Sequence, residues 1–575
     1  MANKFKGIGA SDGIALAKVY IFKQPTIEIE NGKVDDVEQE VKKYEKAIAK
    51  TMEQLKKIEK VAEAKVGEEK AFIFEAHIGL ADDIEIKNSV ISKIKSTKLN
   101  AAYLIDKTYE EYAQLFRSCG DAYLKERASD LKDVKRRLIA NYANKELPDL
   151  SLIDQEVIVV CEDLSPSETA LLNKEFVKGF ITQVGGKTSH AAIMARTIGI
   201  PCVMGVKDIL NVSKKAKIIA LNGSSGEVEL DPKDLEYWQN AIKKFDKEQK
   251  ELSKYINQKT ITLDGFKVLL ESNIGNPYDA NLTLNYGSEG VGLYRSEFLY
   301  MESTSDWPDE QTQTDGYRKA LEYLKNQLVV IRTLDIGGDK KLPYFQFPHE
   351  DNPFLGYRAI RLCLDKPNIF KTQLRALLRA SVGGRLAIMF PMIATVEEFK
   401  KAKEMTLEMA EQLKKEGIEV AKDVQIGMMV EIPAAVMNIE ALAKYSDFFS
   451  IGTNDLIQYS MACDRMSKSV AYLYQPNNPS ILRLIQRTIT EANKQKKWVG
   501  MCGEMAGETL SIPLLIGMKL NNLSMSPSRI PKARRLVNNL RQSDCKQLLS
   551  EALKLETCEQ VNGLVEKFLK ERKLI

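Results

Sequence analysis

Between residues 268 and 526, eight short β-rich runs follow one another: VLLESN (268–273), GVGL (290–293), LVVIRT (328–333), LAIMF (386–390), QIGMMV (425–430), FFSI (448–451), WVGMC (498–502) and LSMS (523–526). Helix-like or long connecting segments lie between them. Strands joined by such crossovers pair in parallel, and eight β then α units in about 310 residues predict a (β/α)₈ barrel. A barrel of this kind carries its site at the C-terminal ends of its strands. Polar residues gather at those ends here, namely Arg295, Arg332, Glu431, Asn454, Asp455 and Cys502. A doubly wound sheet would spread them less evenly.

The barrel leaves more than 250 residues over, and 575 residues exceed what one hydrophobic core organises. Between Pro25 and Pro148 there is no proline, and Leu, Ile, Lys, Glu and Ala recur at helical spacing. About four helices are expected there, as a helical subdomain over about 33–147. Beyond Pro148 the pattern turns to β-rich runs, EVIVV (156–160), GFITQV (179–184), IPCVMGV (200–206) and KIIAL (217–221). The expected architecture is therefore a multidomain α/β chain. An α/β domain over 1–232 carries the inserted helical subdomain, and the barrel occupies 260–575. Residues 233–259 hold no Gly or Pro and place Leu235, Trp238, Ile242, Phe245, Leu252 and Ile256 near a heptad rhythm. They read as a helical linker or, equally, as a surface helix of one domain.

A net charge of +4 is close to balanced for this length and gives no reason to invoke nucleic acid. The N-terminal residues lack the apolar core of a signal peptide, and no apolar run approaches bilayer length, so a cytoplasmic protein without membrane insertion is expected. Eight scattered cysteines, without a CxxC pair, give no expectation of disulfides or structural zinc.

Histidine occurs only at 77, 190 and 349, and His190 stands in GGKTSHAAIMAR (185–196), a Gly-Gly turn that runs into a helical pattern. Unpaired N–H groups and a partial positive charge at a helix start favour a phosphate, and a near-neutral imidazole is a usable nucleophile. Taken alone, Ser189 or Thr188 could simply cap the helix. The whole twelve-residue string, however, closely resembles the phosphohistidine segment of the phosphoenolpyruvate-dependent phosphotransferase family, the group of Enzyme I of the bacterial sugar phosphotransferase system. The likeness extends through GIGASDGIA (7–15), YLKERASD (123–130), LSPSETA (164–170), GSEGVGLYRSEFLYM (287–301), IRTLDIGGDK (331–340), NPFLGYRAIR (352–361), MMVEIPAA (428–435), FFSIGTNDL (448–456) and GMCGEMAG (500–507).

That resemblance implies transfer of the phosphoryl group of phosphoenolpyruvate (PEP) to His190, then to a histidine-containing phosphocarrier protein, with release of pyruvate. It implies that Arg295 and Arg332 bind the phosphoryl group and that Asn454 and Arg465 hold the rest of the substrate, with Arg358 and Lys340 as further candidates. Two guanidinium forks suit a phosphate with several oxygens, although each Arg alone also reads as a surface ion pair. Glu431 and Asp455 are implied ligands of Mg²⁺, and hard carboxylate oxygens fit that ion. Cys502 matches the family's proton donor to the pyruvate enolate, and Thr169 matches the residue that hydrogen-bonds the phosphoacceptor imidazole. The acidic residues Glu68, Glu69, Glu75, Asp82 and Asp83 around His77 match the carrier-docking region, and a solvated helix face explains them as well. A homodimer through the barrel is also implied.

The chain departs from the family pattern at Ile432 and Ile457, where threonines are usual, at Asp12 in place of a proline, and at Asn222-Gly223. The two isoleucines remove hydroxyls beside Glu431 and Asp455 that could support a metal, but they remove no charge or nucleophile, so activity is expected to survive. Two other readings are weighed. A PEP synthase or pyruvate phosphate dikinase would need a large nucleotide-binding domain ahead of residue 190. An inactive carrier-binding regulator would not need the nucleophile, both carboxylates and the thiol together.

Overall fold

The computed structural model describes residues 3–575 except 24–28, 30, 67–76, 119–121, 146, 149, 151–152, 165–167, 170–171, 187–188, 304–305, 339, 341, 343, 466 and 468, and except the side chains of 61–66, 116–118, 122–129, 190, 193, 197, 278, 282 and 302. It divides into two units, Met1–Gln249 and Lys250–Ile575.

The first unit is built on an eight-stranded sheet: β1 (Lys4–Lys6), β2 (Ile8–Ser11), β3 (Ile14–Ile21), β4 (Val157–Cys161), β5 (Val177–Thr182), β6 (Cys202–Met204), β7 (Ile218–Asn222) and β8 (Glu227–Leu230), in the order β1-β8-β7-β3-β4-β5-β6-β2. Strands β3 to β6 pair in parallel, and the remaining pairings are antiparallel. In β4, Val157, Val159 and Cys161 face one core while Ile158 and Val160 face another. A near-continuous apolar run is what a strand covered on both faces requires. Between β3 and β4 run the helices α1 (Val37–Val66), α2 (Ile84–Thr97), α3 (Ala101–Ser118) and α4 (Ala122–Tyr142), around a core that includes Tyr44, Leu55, Val90, Ile105 and Leu138. Asn222-Gly223 closes the β7–β8 turn. The Asn222 carboxamide accepts the Ser224 and Ser225 N–H groups at 3.0 Å, and a Cβ on Gly223 would lie 1.9 Å from the Ser11 carbonyl oxygen.

Helix α5 (His190–Ile198) follows β5, and α6 (Leu235–Ser253) follows β8. Trp238, early in α6, donates its indole N–H to Glu229 of β8 at 3.0 Å.

The second unit is a closed parallel barrel of β9 (Leu269–Ile274), β10 (Val291–Arg295), β11 (Leu328–Arg332), β12 (Arg385–Phe390), β13 (Gln425–Val430), β14 (Phe448–Ile451), β15 (Trp498–Met501) and β16 (Asn522–Met525). Each of the eight β-rich runs overlaps one of these strands, so the (β/α)₈ expectation holds. Inside, Leu293, Val330, Ala387, Met389, Met429, Phe448 and Cys502 pack together, with Phe448 stacked on Trp498 at 4.4 Å between ring centroids. Arg534, on the helix Ile530–Asn538, is fully buried. It donates to the Tyr255 and Ile256 carbonyls at 3.0 and 2.6 Å and to Thr260 Oγ1 at 2.9 Å, fixing the turn that precedes the first strand.

One sector of the barrel is polar. Glu271 of β9 is buried, and it alternates along the strand with Leu270 and Ile274 of the outer core. A Cβ on Gly292 would stand 2.8 Å from Glu271 Oε2, so that glycine makes room for the carboxyl group. Burial, with a contribution from Glu289, pushes the Glu271 pKa from 4.5 up to about 7, against a hydrogen bond from Asn522. The folded state therefore holds the proton more tightly than the unfolded chain. This favours folding fully below about 4.5, and the advantage is lost as pH rises through about 7. Glu271→Gln keeps the shape without titrating. At pH 8 it should be more stable than the parent by up to about 3 kcal/mol, with the difference vanishing near pH 4, as chemical denaturation at both pH values would measure.

Candidate active site

The C-terminal rim of the barrel gathers the charged residues. Arg332 ends β11, and its Nη2 lies 2.6 Å from Glu297 Oε1 and 3.0 Å from Asp335 Oδ2. Lys340 Nζ approaches the same two carboxylates, at 2.9 Å from Glu297 Oε1 and 3.4 Å from Asp335 Oδ2. Arg358 Nη2 donates to Asp335 Oδ1 at 2.8 Å and lies 3.9 Å from Asp455 Oδ2. Asp335 thus joins three cations. Burial would raise its pKa, but Arg332, Lys340 and Arg358 hold it well below the usual carboxylate range. Arg332 and Lys340 likewise outweigh burial at Glu297.

The loops that allow this contact are tight. Gly337 has φ +115, and a Cβ there would meet Arg358 Cβ at 2.5 Å. Ala359, beside Arg358, is held at φ 54, in a region that side chains other than glycine rarely adopt. Asp335→Ala would leave buried cations uncompensated. A loss of about 3–5 kcal/mol in unfolding free energy is expected, measurable by urea titration.

Glu431 directly follows β13, and its Oε1 accepts the Met392 N–H at 2.6 Å. Asp455 lies in the first turn of the helix Thr453–Ser460, immediately after β14. Both are buried, and Asp455 Oδ1 has no hydrogen-bond partner among the described residues. Burial, Asp455 and Asp335 push the Glu431 carboxyl up to about 8, despite Arg332 and Arg358. Two crowded carboxylates and an orphaned buried oxygen suit a small hard cation. A Cβ on Gly452 would come within 2.9 Å of Glu431 Oε2, so that position needs the missing side chain. Ile457 is buried in the outer core and Ile432 packs against it, so neither brings a polar group to the carboxylates.

Cys502 directly follows β15. Burial pushes its thiol up to about 11, against a Ser450 hydrogen bond and the nearby charges of Arg332 and Arg295, so it keeps its proton near neutrality. Arg295, at the end of β10, is only partly buried. Asn454 Oδ1 accepts from the Tyr474 hydroxyl at 3.2 Å and from the Glu504 N–H at 3.2 Å. Arg465 is anchored by its N–H to Gln458 Oε1 at 3.1 Å, and its charge opposes the burial that pushes the Tyr474 phenol up to about 12. Asn454 and Arg465 therefore share a neighbour.

In the first unit, Ser189 caps α5 and accepts the Ala192 N–H at 3.3 Å, so His190 is the first residue of that helix. Thr188 and the His190 side chain lie outside the described residues. Thr169 is buried, beside Glu168, whose Oε1 lies 3.1 Å from Arg136 Nη2. Arg136 also binds Asp133 at 2.6 Å, and Asp133 and Asp130 flank the buried His77 at 3.7 Å from Nδ1 and 3.0 Å from Nε2. His77 is thus paired with aspartates of α4. Asp83 caps α2 through the Ile86 N–H at 2.9 Å, while Asp82 is exposed. Glu68, Glu69 and Glu75 lie outside the described residues.

Sequence reasoning missed Glu297 and Asp335. Asp335 stands three residues after Arg332, inside the quoted string IRTLDIGGDK, but only its cations were read.

Residues 249–542 match the family model described as PEP-utilising enzyme, PEP-binding domain. Residues 6–127 match the N-terminal model of the same enzymes, and 153–226 match their mobile domain. A phosphoenolpyruvate-protein phosphotransferase of Mycoplasma capricolum is 51% identical over 571 residues, covering 99% of each chain. Those of Staphylococcus epidermidis and Listeria monocytogenes are 48% and 47% identical over 573 residues, covering 99% of this chain and 100% of theirs.

Proposed function

The chain belongs to the phosphoenolpyruvate-protein phosphotransferases of the PEP-utilising enzyme family, and on that premise we propose that His190 takes the phosphoryl group of PEP and hands it to a histidine of a phosphocarrier protein, releasing pyruvate. What supports this reading is the meeting of Arg332, Lys340 and Arg358 with Glu431 and Asp455 at one barrel rim. Cations placed for a polyanion and carboxylates placed for a divalent ion are what phosphoryl transfer requires, since its chemistry is mostly positioning and charge stabilisation.

In this reading the guanidinium groups of Arg295 and Arg332 grip the phosphoryl oxygens. Arg358 and Lys340 add charge, and Asn454 and Arg465 orient the carboxylate end. Glu431 and Asp455 would hold Mg²⁺, which when bound supplies positive charge against the phosphate and the developing enolate. The His190 imidazole attacks phosphorus in line, with Thr169 orienting it. As the P–O bond breaks, its electron pair stays on the enolate, whose C3 takes the proton of the Cys502 thiol.

Residues 1–232 form the phosphohistidine domain, with the carrier docking on its helical part over 33–147. Residues 233–259 act as the linker, and 260–575 bind PEP and pair as a homodimer, in the cytoplasm. Among the described residues no helix is long and apolar enough to cross a membrane. A fragment of residues 1–259 should exchange phosphate with the phosphorylated carrier yet take none from PEP, as gel autoradiography would record.

The proposal itself is tested with PEP labelled in its phosphorus. In the presence of Mg²⁺ the chain should acquire one acid-labile phosphate, chased off by the carrier. No incorporation would refute it.

A further inference from the structure

The Cys502 sulfur is placed by a single torsion from its own backbone, so its position follows the orientation of the Cys502 peptide groups, and the thiol itself lies 3.9 Å from the Ile451 carbonyl. Two contacts hold those groups. The Cys502 N–H donates to the Ile451 carbonyl at 3.1 Å, and the Cys502 carbonyl accepts from Asn273 Nδ2 at 2.9 Å. Asn273 belongs to β9, which is not a neighbour of β15, because β16 runs between them. The intervening strand supplies the link, since Ser524 of β16 donates its hydroxyl to Asn273 Oδ1 at 2.7 Å. Ser524 is buried, whereas Asn273 is partly exposed at the mouth. These two bonds fix which end of the carboxamide faces which strand. The oxygen meets a hydroxyl donor and the nitrogen meets a carbonyl acceptor, so the reverse orientation would set like against like at the Cys502 carbonyl.

The next residue strengthens the argument. A Cβ on Gly503 would lie 1.8 Å from Thr453 Oγ1, so the chain after Cys502 passes tightly against the start of the helix that carries Asp455. The peptide between Cys502 and Gly503 is therefore wedged on one side by Thr453 and held at its carbonyl by Asn273. A tilt of that peptide would move the thiol relative to the substrate carbon, and misplacement of about 1 Å costs on the order of 100-fold in a positioned reaction.

We infer that Asn273, locked by Ser524, is a positioning residue that aims the Cys502 thiol at one face of the enolate. This rests on the reading that Cys502 is the donor. The step balances without another reactant: the S–H bond breaks as a C–H bond forms at C3 from the enolate's electron pair, and the thiolate recovers its proton from water.

The test uses the full-length enzyme, Mg²⁺, the phosphocarrier and PEP stereospecifically deuterated at C3, in tritiated water, with the configuration of the methyl group of the pyruvate as readout. The parent should deliver hydrogen to one face. Asn273→Ala and Ser524→Ala should both give configurationally mixed pyruvate, with pyruvate formation slowed about 10- to 100-fold for Asn273→Ala. KM for PEP should change much less than kcat. The double variant should be no worse than Asn273→Ala alone, because both act through one chain of contacts. Ser524→Ala removes only a hydroxyl, so it carries the test if Asn273→Ala does not fold. One-faced pyruvate at the parental rate from either folded variant would overturn the inference. Cys502→Ser reports separately on its premise. If that variant still forms one-faced pyruvate at the parental rate, the donor assignment fails, whereas mixed pyruvate from Cys502→Ser with one-faced pyruvate from the other two sinks the positioning role alone.

Discussion

Replacing His190 by Ala should eliminate acid-labile phosphate uptake from PEP altogether, while leaving the thermal unfolding of the chain close to that of the parent. The first half of this expectation follows from the poverty of alternatives. His77 is fully buried and flanked by Asp130 and Asp133, so no phosphate donor reaches it. His349 is 94% exposed, and its ion-pair partner among the described residues is Asp351 at 4.0 Å, whose negative charge would repel a phosphoryl group. His190 opens a helix, where free N–H groups and the helix dipole favour the charge that phosphorylation adds. The second half follows from the cap. Ser189 supplies the side chain that satisfies Ala192, and Ala is the best helix former, so the helix keeps both its start and its propensity. Labelled PEP followed by peptide mapping would check this. Label on His77 or His349 in the variant would overturn the assignment.

The two units were not equally legible. The barrel could be read because a parallel strand covered on both sides must be a short apolar run, and eight such runs follow one another with helix-like or long connecting segments between them. The N-terminal strands β1, β2 and β3 and the later β8 went unread. KFK, IGAS and IALAKVYI carry Lys, Gly and Ala where a strand pattern calls for branched apolar residues. Strands β1 and β2 lie at the two edges of the sheet, so pairing with distant partners, not local preference, makes them strands.

The site divides in the same way. Residues that end a strand were visible as polar breaks after apolar runs, as at Arg332, Glu431 and Cys502. Glu297 and Asp335 lie beyond strand ends, and only the folded loops show that they bind Arg332 and Lys340. Asn273 closes the first β-rich run, and Ser524 lies within the last one. What they do depends on β16 standing between β9 and β15, a neighbour relation that exists only once the barrel closes. In the helical region the partners of His77 could not be read for the same reason. The aspartates that flank it come from α4, more than fifty residues away in sequence, while Asp83 serves as a helix cap.

Loss of the negative charge at Glu431 or Asp455 should cut phosphoryl transfer from PEP by about 10³-fold or more, roughly 4 kcal/mol of barrier, the scale expected when a cation no longer stabilises developing charge. The choice of replacement matters. Glu431 also accepts the buried Met392 N–H, so Ala would strand that donor at a cost of about 1–3 kcal/mol and confuse a metal effect with a packing one. Glu431→Gln keeps the acceptor and removes only the charge. At Asp455, Oδ1 has no hydrogen-bond partner among the described residues and Oδ2 lies 3.9 Å from Arg358, so Asn is the matching change there. Because burial and neighbouring carboxylates already oppose ionisation of Glu431, the neutral variant should melt no lower than the parent when metal is absent. With Mg²⁺ and PEP present the parent should gain stability by mass action, and each variant should lose most of that gain. Melting curves with and without Mg²⁺ and PEP give a readout independent of turnover. If both variants keep the parental metal dependence in melting and in phosphate uptake, these two carboxylates do not hold the ion.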